Sequence, residues 1–349
     1  MKYTKIVDED INDIIDYCSL ELLKKFENTS VLVTGATGMI GSYFVYTFLK
    51  LNEKYNYNID INILVRNREK ATEMFNDTNL NIIVQDVTNK IDLDINVDYV
   101  IHAASPASPK IMKDKPVETN FANTIGTANT LLFANEKKAN GYLFVSSREI
   151  YGEPTDNDIF TEYGILGQVD PLVPRNGYAE GKKAAENMCA CFKEEYGLNT
   201  KIVRLAHTYG PGMSIHDGRV QADFLNNVIH GEDIILKSDG SSIRTYTYIS
   251  DAIKAMIIVL LKSNDIVYNV ASSKCKTSIK QLAQTLISLY SKKELKLVFD
   301  IKESKGAASF KTGILSTEKI EEELNFKPKY GIKDGFARTI EHLIDEENI

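Results

Sequence analysis

Val31-Leu-Val-Thr34-Gly35-Ala36-Thr37-Gly38-Met39-Ile40-Gly41 carries a β-branched run straight into a glycine-spaced turn, and helical apolar spacing over 40–51 follows at once. Glycines at 35, 38 and 41 let a backbone turn tightly and approach a ligand, while the first N–H groups of the helix remain free to meet an anion. Strand, glycine turn and helix in this order read as the opening of a dinucleotide-binding unit. Gly35, Thr37, Gly38, Met39, Ile40 and Gly41 are its candidate pyrophosphate cradle.

Outward from this stretch, short β-branched runs at 61–65, 82–84, 99–103, 142–146 and 201–205 alternate with helical patterns such as 120–139. Such alternation implies right-handed crossovers and an α/β, Rossmann-type doubly wound parallel sheet, assigned to residues 29–207. Residues 1–28 are an acidic amphipathic helical extension (Ile11, Ile14, Ile15, Leu20, Leu22, Leu23, Phe26), read as a packing or dimer-contact element. Residues 208–349 are expected to form mainly a smaller C-terminal substrate-binding lobe, with helices over 250–261, 278–290 and 333–344 and strands at 234–236 and 267–270. Part of 245–270 is expected to return to the first domain.

With Lys+Arg 41 against Asp+Glu 48 in 349 residues, the net charge of −7 argues against nucleic acid as a partner. The longest purely apolar run, 255–261, is far short of a membrane span, and the acidic N-terminus (Asp8, Glu9, Asp10, Asp13) lacks a signal peptide's pattern, so a cytoplasmic protein is expected. Four scattered cysteines (Cys18, Cys189, Cys191, Cys275) make no disulfide framework, and the Cys189/Cys191 pair has no second pair at metal-ligand spacing. Buried free thiols and no metal are expected.

Where an acidic residue after the second strand would bind the ribose of NAD, the chain has Val65-Arg66-Asn67-Arg68. Arg66 there suits the 2′-phosphate of NADP, or belongs to a solvated basic loop. Asp86-Val87 offers a carboxylate and an amide to an adenine edge, and His102-Ala103-Ala104 ends a strand in small residues that allow close approach. His102, with no acidic partner in sequence, reads as structural.

Ser147 ends the strand before a helix that opens Tyr178-Ala179-Glu180-Gly181-Lys182. Tyr178 and Lys182, four apart, share a helical face; an ammonium beside a phenol favours phenolate, and a serine hydroxyl can hold the substrate oxygen that the tyrosine deprotonates.

On these motifs the chain resembles the extended short-chain dehydrogenase/reductases of the NAD-dependent epimerase/dehydratase family, from about Val31 to Ala283. It is most similar to UDP-glucuronate decarboxylases in His102-Ala-Ala-Ser-Pro-Ala-Ser-Pro109, Pro116-Val-Glu-Thr-Asn, Asn123-Thr-Ile-Gly-Thr127, Glu149-Ile-Tyr-Gly-Glu-Pro154, Pro171-Leu-Val-Pro-Arg-Asn-Gly-Tyr178 and Asp217-Gly-Arg219. The resemblance implies a nucleotide-sugar substrate, tightly held NAD, a homodimer built on 120–139 and 178–195, and Ser105 and Asn123 among the cofactor contacts. It also implies that Tyr178 takes the C4 hydroxyl proton while hydride leaves C4, giving a 4-keto sugar that loses a group before hydride returns.

By the same resemblance Arg244 clamps the nucleotide diphosphate, a role suited to a planar guanidinium, and Arg219 is a second candidate. His207 stands where relatives have Asn. Sugar 4,6-dehydratases usually carry Asp then Glu after the serine; this chain has Arg148 and Glu149. Arginine cannot act as a general acid near neutrality, which disfavours 4,6-dehydration and leaves Arg148 to pair with a sugar carboxylate or to face solvent. Decarboxylase-like or dehydratase-like chemistry is the first expectation; a 4-epimerase, C4 dehydrogenase or reductase is the alternative, and a non-catalytic cofactor-binding protein a third.

Overall fold

The computed structural model describes residues 1–76, 79–152, 158–163, 169–290, 294–301 and 313–347. Its strands are β1 Ser30–Thr34, β2 Asp60–Val65, β3 Leu80–Val84, β4 Tyr99–His102, β5 Gly141–Ser147, β6 Asp158–Phe160, β7 Thr200–Leu205, β8 His207–Tyr209, β9 Ile234–Leu236, β10 Ile243–Tyr248, β11 Val267–Val270, β12 Lys276–Ser278, β13 Leu297–Phe299 and β14 Gly313–Leu315. The helices are α1 Lys5–Cys18, α2 Leu20–Leu23, α3 Met39–Tyr55, α4 Arg68–Phe75, α5 Pro109–Asp114, α6 Pro116–Glu136, α7 Gly177–Tyr196, α8 Val220–Ile229, α9 Ile249–Lys262, α10 Ile279–Leu289, α11 Glu318–Leu324 and α12 Ile332–Glu347.

Seven parallel strands form the main sheet in the order β11-β7-β5-β4-β1-β2-β3. The chain lays β1, β2 and β3 outward in one direction and then starts again at β4 on the other side of β1. That reversal leaves a crevice at the carboxyl ends of β1 and β4, where open α/β sheets bind ligands. Every residue of β1, β4 and β7 is buried, as expected of strands covered by helices on both faces. The sheet matches the Rossmann-type expectation, and 267–270 does run beside β7. Outside it lie three small sheets, β12-β10-β8, β13-β9 and β14-β6.

The N-terminal helix packs inside the chain's own core. Asp10 of α1 is fully buried, accepts hydrogen bonds from Tyr43 and Tyr248 at 2.8 Å each, and pairs with Arg338 at 2.8 Å, so one carboxylate joins α1, α3, β10 and α12. Asp13 pairs with Lys254 of α9 at 2.6 Å.

Cys18, Cys189 and Cys275 are buried free thiols, but Cys191 is exposed. Two residues apart on α7, Cys189 and Cys191 project to different faces, which corrects the expectation of a buried pair. Among the described residues no cluster of metal-ligating side chains occurs, and no helix is long and apolar enough to cross a membrane.

Candidate active site

At the β1–β4 crevice the glycine turn has no room for side chains. Gly35 has φ +66, and a Cβ there would sit 2.8 Å from the Ala104 backbone; at Gly41 it would sit 2.4 Å from the Gly35 carbonyl oxygen. Helix α3 starts at Met39 with Gly38 as its N-cap and no side chain capping it. Glycine contacts and uncapped N–H groups together fit a pyrophosphate. Ala103 and Ala104 close the other side of the crevice.

His102, at the end of β4, sits between two threonines. Thr127 Oγ1 donates to the Asn123 carbonyl and so accepts from His102 Nε2 at 3.2 Å; Nδ1 of the neutral ring then accepts from Thr34 Oγ1 at 2.8 Å, which itself accepts from the Ala104 amide. Burial, with Lys182 nearby, pushes the imidazole pKa down to about 3, so His102 is a neutral clasp between β1, β4 and α6. The structural reading of His102 agrees with this geometry.

A cavity of about 510 Å³ opens from the crevice, and the ends of β5 and β7, the starts of α7 and α8, β8 and β10 complete it. It brings together Gly35, Gly38, Met39, Ile40, Gly41, Ala103, Ser105, Ser147, Arg148, Glu149, Tyr178, Lys182, His207, Arg219 and Arg244. Six other candidates do not line it. Thr37 is half-buried in the glycine turn, and Ala104 packs behind Gly35. Arg66 is exposed after β2; the Asp86 carboxylate accepts from the amide and hydroxyl of Thr88. Val87 is buried against Gly126, and Asn123 accepts from Ser105 Oγ at 2.8 Å while donating to the Thr119 carbonyl. Asn123 thus holds Ser105 in the wall from behind.

Tyr178 is buried, and burial raises its phenol pKa; the hydroxyls of Ser147 and Ser105 and the guanidinium of Arg219 pull it back, while Glu149 adds to the rise. Lys182 departs from the sequence expectation in one respect. Its ammonium lies 5.8 Å from the centre of the Tyr178 ring and donates to the Val145 carbonyl at 2.7 Å, because a long helical side chain leans toward the helix N-terminus and the buried charge takes the acceptor it meets at the strand end. Burial pushes the Lys182 pKa down to about 7, against the raising effect of Glu186. The phenol's immediate polar neighbours are therefore hydroxyls.

The frame behind these groups is ionic. Arg204 of β7 pairs with Glu186 of α7 at 2.7 Å, and Ser146 donates to the same carboxylate, locking β5, β7 and α7 together. Inside the cavity Glu149 is the one carboxylate among the described lining residues, against Arg148, Arg175, Arg219, Arg244 and Lys182. Glu149 is paired with Arg148 at 3.2 Å and Arg175 at 3.8 Å; Arg219 is held by Asp217 at 2.7 Å and by the Ala107 carbonyl. His207 stacks obliquely on Tyr246 with ring centres 5.6 Å apart, and burial together with Arg148, Arg244 and Arg219 keeps its ring neutral.

Of the lining residues that the sequence reading did not assign to the site, three carry polar side chains that matter below: Arg175, Gln221 and Tyr246. Arg175 stands one turn before Tyr178, a spacing that could have revealed it. Gln221 and Tyr246 gave no such signal, since only the placing of α8 and β10 against the sheet brings them to the wall.

Residues 31–271 match the model of the NAD dependent epimerase/dehydratase family. The chain is 32% identical over 248 residues to UDP-glucuronic acid decarboxylase 1 of Xenopus tropicalis, covering 71% of this chain and 57% of that protein. Against UDP-glucuronic acid decarboxylase 3 of Arabidopsis thaliana it is 34% identical over 238 residues, or 68% of each chain. In fold it is similar to UDP-glucose 4-epimerase of Thermotoga maritima, solved with UDP-glucose, at a TM-score of 0.75 and 25% identity over 91% of this chain and 99% of the other. Carrying that family's glycine turn at a topological switch point and matching its model across most of its length, this chain belongs to the NAD dependent epimerase/dehydratase family.

Proposed function

We propose that the protein converts a nucleotide-activated sugar through transient oxidation at C4, that its substrate is an acidic sugar nucleotide of the UDP-glucuronate type, and that decarboxylation is the outcome. The observation that carries this reading is a single cavity lined by Ser147, Tyr178 and Lys182 together with four arginines and one carboxylate, Glu149, among its described residues. A diphosphate takes up two of the arginine charges, and a sugar carboxylate shares Arg148 with Glu149. The relatives named above are decarboxylases of UDP-glucuronic acid, which supports the same substrate.

In this reading Ser147 and Ser105 orient the C4 oxygen and Tyr178 accepts its proton. Lys182, under the phenol ring, supplies positive charge where the phenolate forms. NAD, when bound on the glycine turn, supplies reversible hydride acceptance at C4. NAD is favoured over NADP because a cofactor reduced and reoxidised within one turnover gains nothing from the NADPH pool. Loss of CO₂ from a 4-keto acid needs no acid at C6, so Arg148 is no obstacle to it. A second reading, 4-epimerisation, is favoured by Glu149 being tied to two arginines. A cytoplasmic setting belongs to the proposal, supported by four free cysteines.

Incubation with UDP-glucuronate, UDP-glucose and other nucleotide sugars, with products identified by mass and, for epimers of equal mass, by proton NMR of the sugar, separates these readings. Carbon dioxide and a UDP-pentose are expected from UDP-glucuronate, with Glu149→Gln slowing group loss more than C4 oxidation. Product from UDP-glucose but none from UDP-glucuronate would overturn the decarboxylase assignment and leave epimerisation.

We further propose a homodimer through α6 and α7. Val117, Phe121, Ile125 and Leu132 of α6 are exposed, with Phe121 at 48%, and the first three recur at four-residue spacing along one helical face. Sedimentation is expected to show a dimer at micromolar concentration that Phe121→Glu with Ile125→Glu converts to monomer; a monomeric parent protein would refute it.

A further inference from the structure

Among the described residues six buried side-chain polar atoms lack a hydrogen-bond partner, and two of them, Gln221 Nε2 and the Tyr246 hydroxyl, line the active-site cavity. Gln221 is 2% exposed and Tyr246 is fully buried. A buried donor left unpaired costs roughly 1–3 kcal/mol, so a chain tolerates one where a ligand supplies the acceptor.

The two come from different elements. Gln221 lies in the first turn of α8, two residues after Arg219; Tyr246 lies on β10, two residues after Arg244 and in register with His207 of β8. Arg219, Arg244, Gln221 and Tyr246 all line the cavity, while the Asp217 carboxylate that holds Arg219 does not. An occupant that suits these donors brings several acceptor oxygens and negative charge. Sugar hydroxyls bring protons of their own, whereas diphosphate oxygens are acceptors only.

We propose that Gln221 and Tyr246 are substrate-positioning residues whose side chains donate hydrogen bonds to the diphosphate oxygens of the bound sugar nucleotide. This assignment rests on the nucleotide-sugar reading above.

Gln221→Leu and Tyr246→Phe nearly preserve volume and remove the donor. Deleting an orphaned donor relieves its desolvation cost, so Tm is expected to hold or rise, a sign opposite to that of a structural hydrogen bond. Binding to the full-length protein is measured with UDP, dTDP, GDP and CDP. For whichever the parent protein binds, each variant is expected to weaken affinity about 10-fold or more, as loss of a hydrogen bond to a charged oxygen does, and to raise KM more than it lowers kcat. Unchanged affinity in both variants overturns the proposal, and so does a fall in Tm with affinity unchanged. Weaker binding of the whole sugar nucleotide without weaker binding of the free diphosphate assigns the donors to the sugar and overturns it as stated. A parent protein that binds none of the four overturns the nucleotide-sugar reading itself, an outcome distinct from tight binding that the variants leave untouched.

Discussion

Tyr178→Phe is expected to lower kcat by about 10²–10⁴-fold while nucleotide binding changes little, because only the proton-accepting oxygen is removed. The ring itself stays packed: Tyr178 is 6% exposed at the start of α7, above the Lys182 ammonium and beside Ser147 and Ser105. The frame that holds α7 to the sheet runs through Glu186, Arg204 and Ser146, all of which the substitution leaves in place. Urea melts of the variant should therefore overlay those of the parent protein. Steady-state turnover near the parent value would remove Tyr178 from the chemistry.

Lys254→Met carries the largest expected effect on stability, a loss of about 3–5 kcal/mol. The Lys254 side chain is fully buried, pairing with Asp13 at 2.6 Å and with the equally buried Asp251 at 3.0 Å. Asp251 also accepts from the amides of Lys329 and Tyr330, so it stays fixed when the lysine is gone and becomes a buried charge without its cation. Asp13 is less affected, since Lys329 still reaches it at 2.8 Å. Equilibrium urea unfolding checks the figure, and a loss below about 1 kcal/mol would show that solvent reaches the site. The same pair ties α1 to α9, so limited proteolysis should release the first 28 residues earlier in the variant.

The parallel sheet was legible because buried strands are continuous β-branched runs. The ranges 61–65 and 201–205 differ from β2 and β7 by one residue at the start, 142–146 differs from β5 by one residue at each end, and 234–236 and 267–270 coincide with β9 and β11. Helix 120–139 begins four residues late, since Pro116 suits a first helical turn and the apolar spacing there faces outward at Val117 and Phe121. Short pairings such as β8–β10 and β6–β14 were not legible, because three-residue ladders joined across long sequence separations have no local period to detect.

The site divides along the same line. Motif residues on strand ends and helix starts converge on one cavity, since local geometry dictates where they point. Glu149–Arg175, the resting place of Lys182 on the Val145 carbonyl and the unpaired donors of Gln221 and Tyr246 depend on how separate elements meet. Glu153 and Pro154, the end of one quoted motif, lie outside the described residues.

The most direct test of the account is a single-turnover experiment in which NAD-loaded protein is mixed with UDP-glucuronate while reduced-nicotinamide absorbance and carbon dioxide are followed together. The account predicts an absorbance that rises and then decays as carbon dioxide and a UDP-pentose accumulate, with no rise in Tyr178→Phe. Carbon dioxide release without any absorbance rise, or a rise with UDP-glucose and none with UDP-glucuronate, would contradict it.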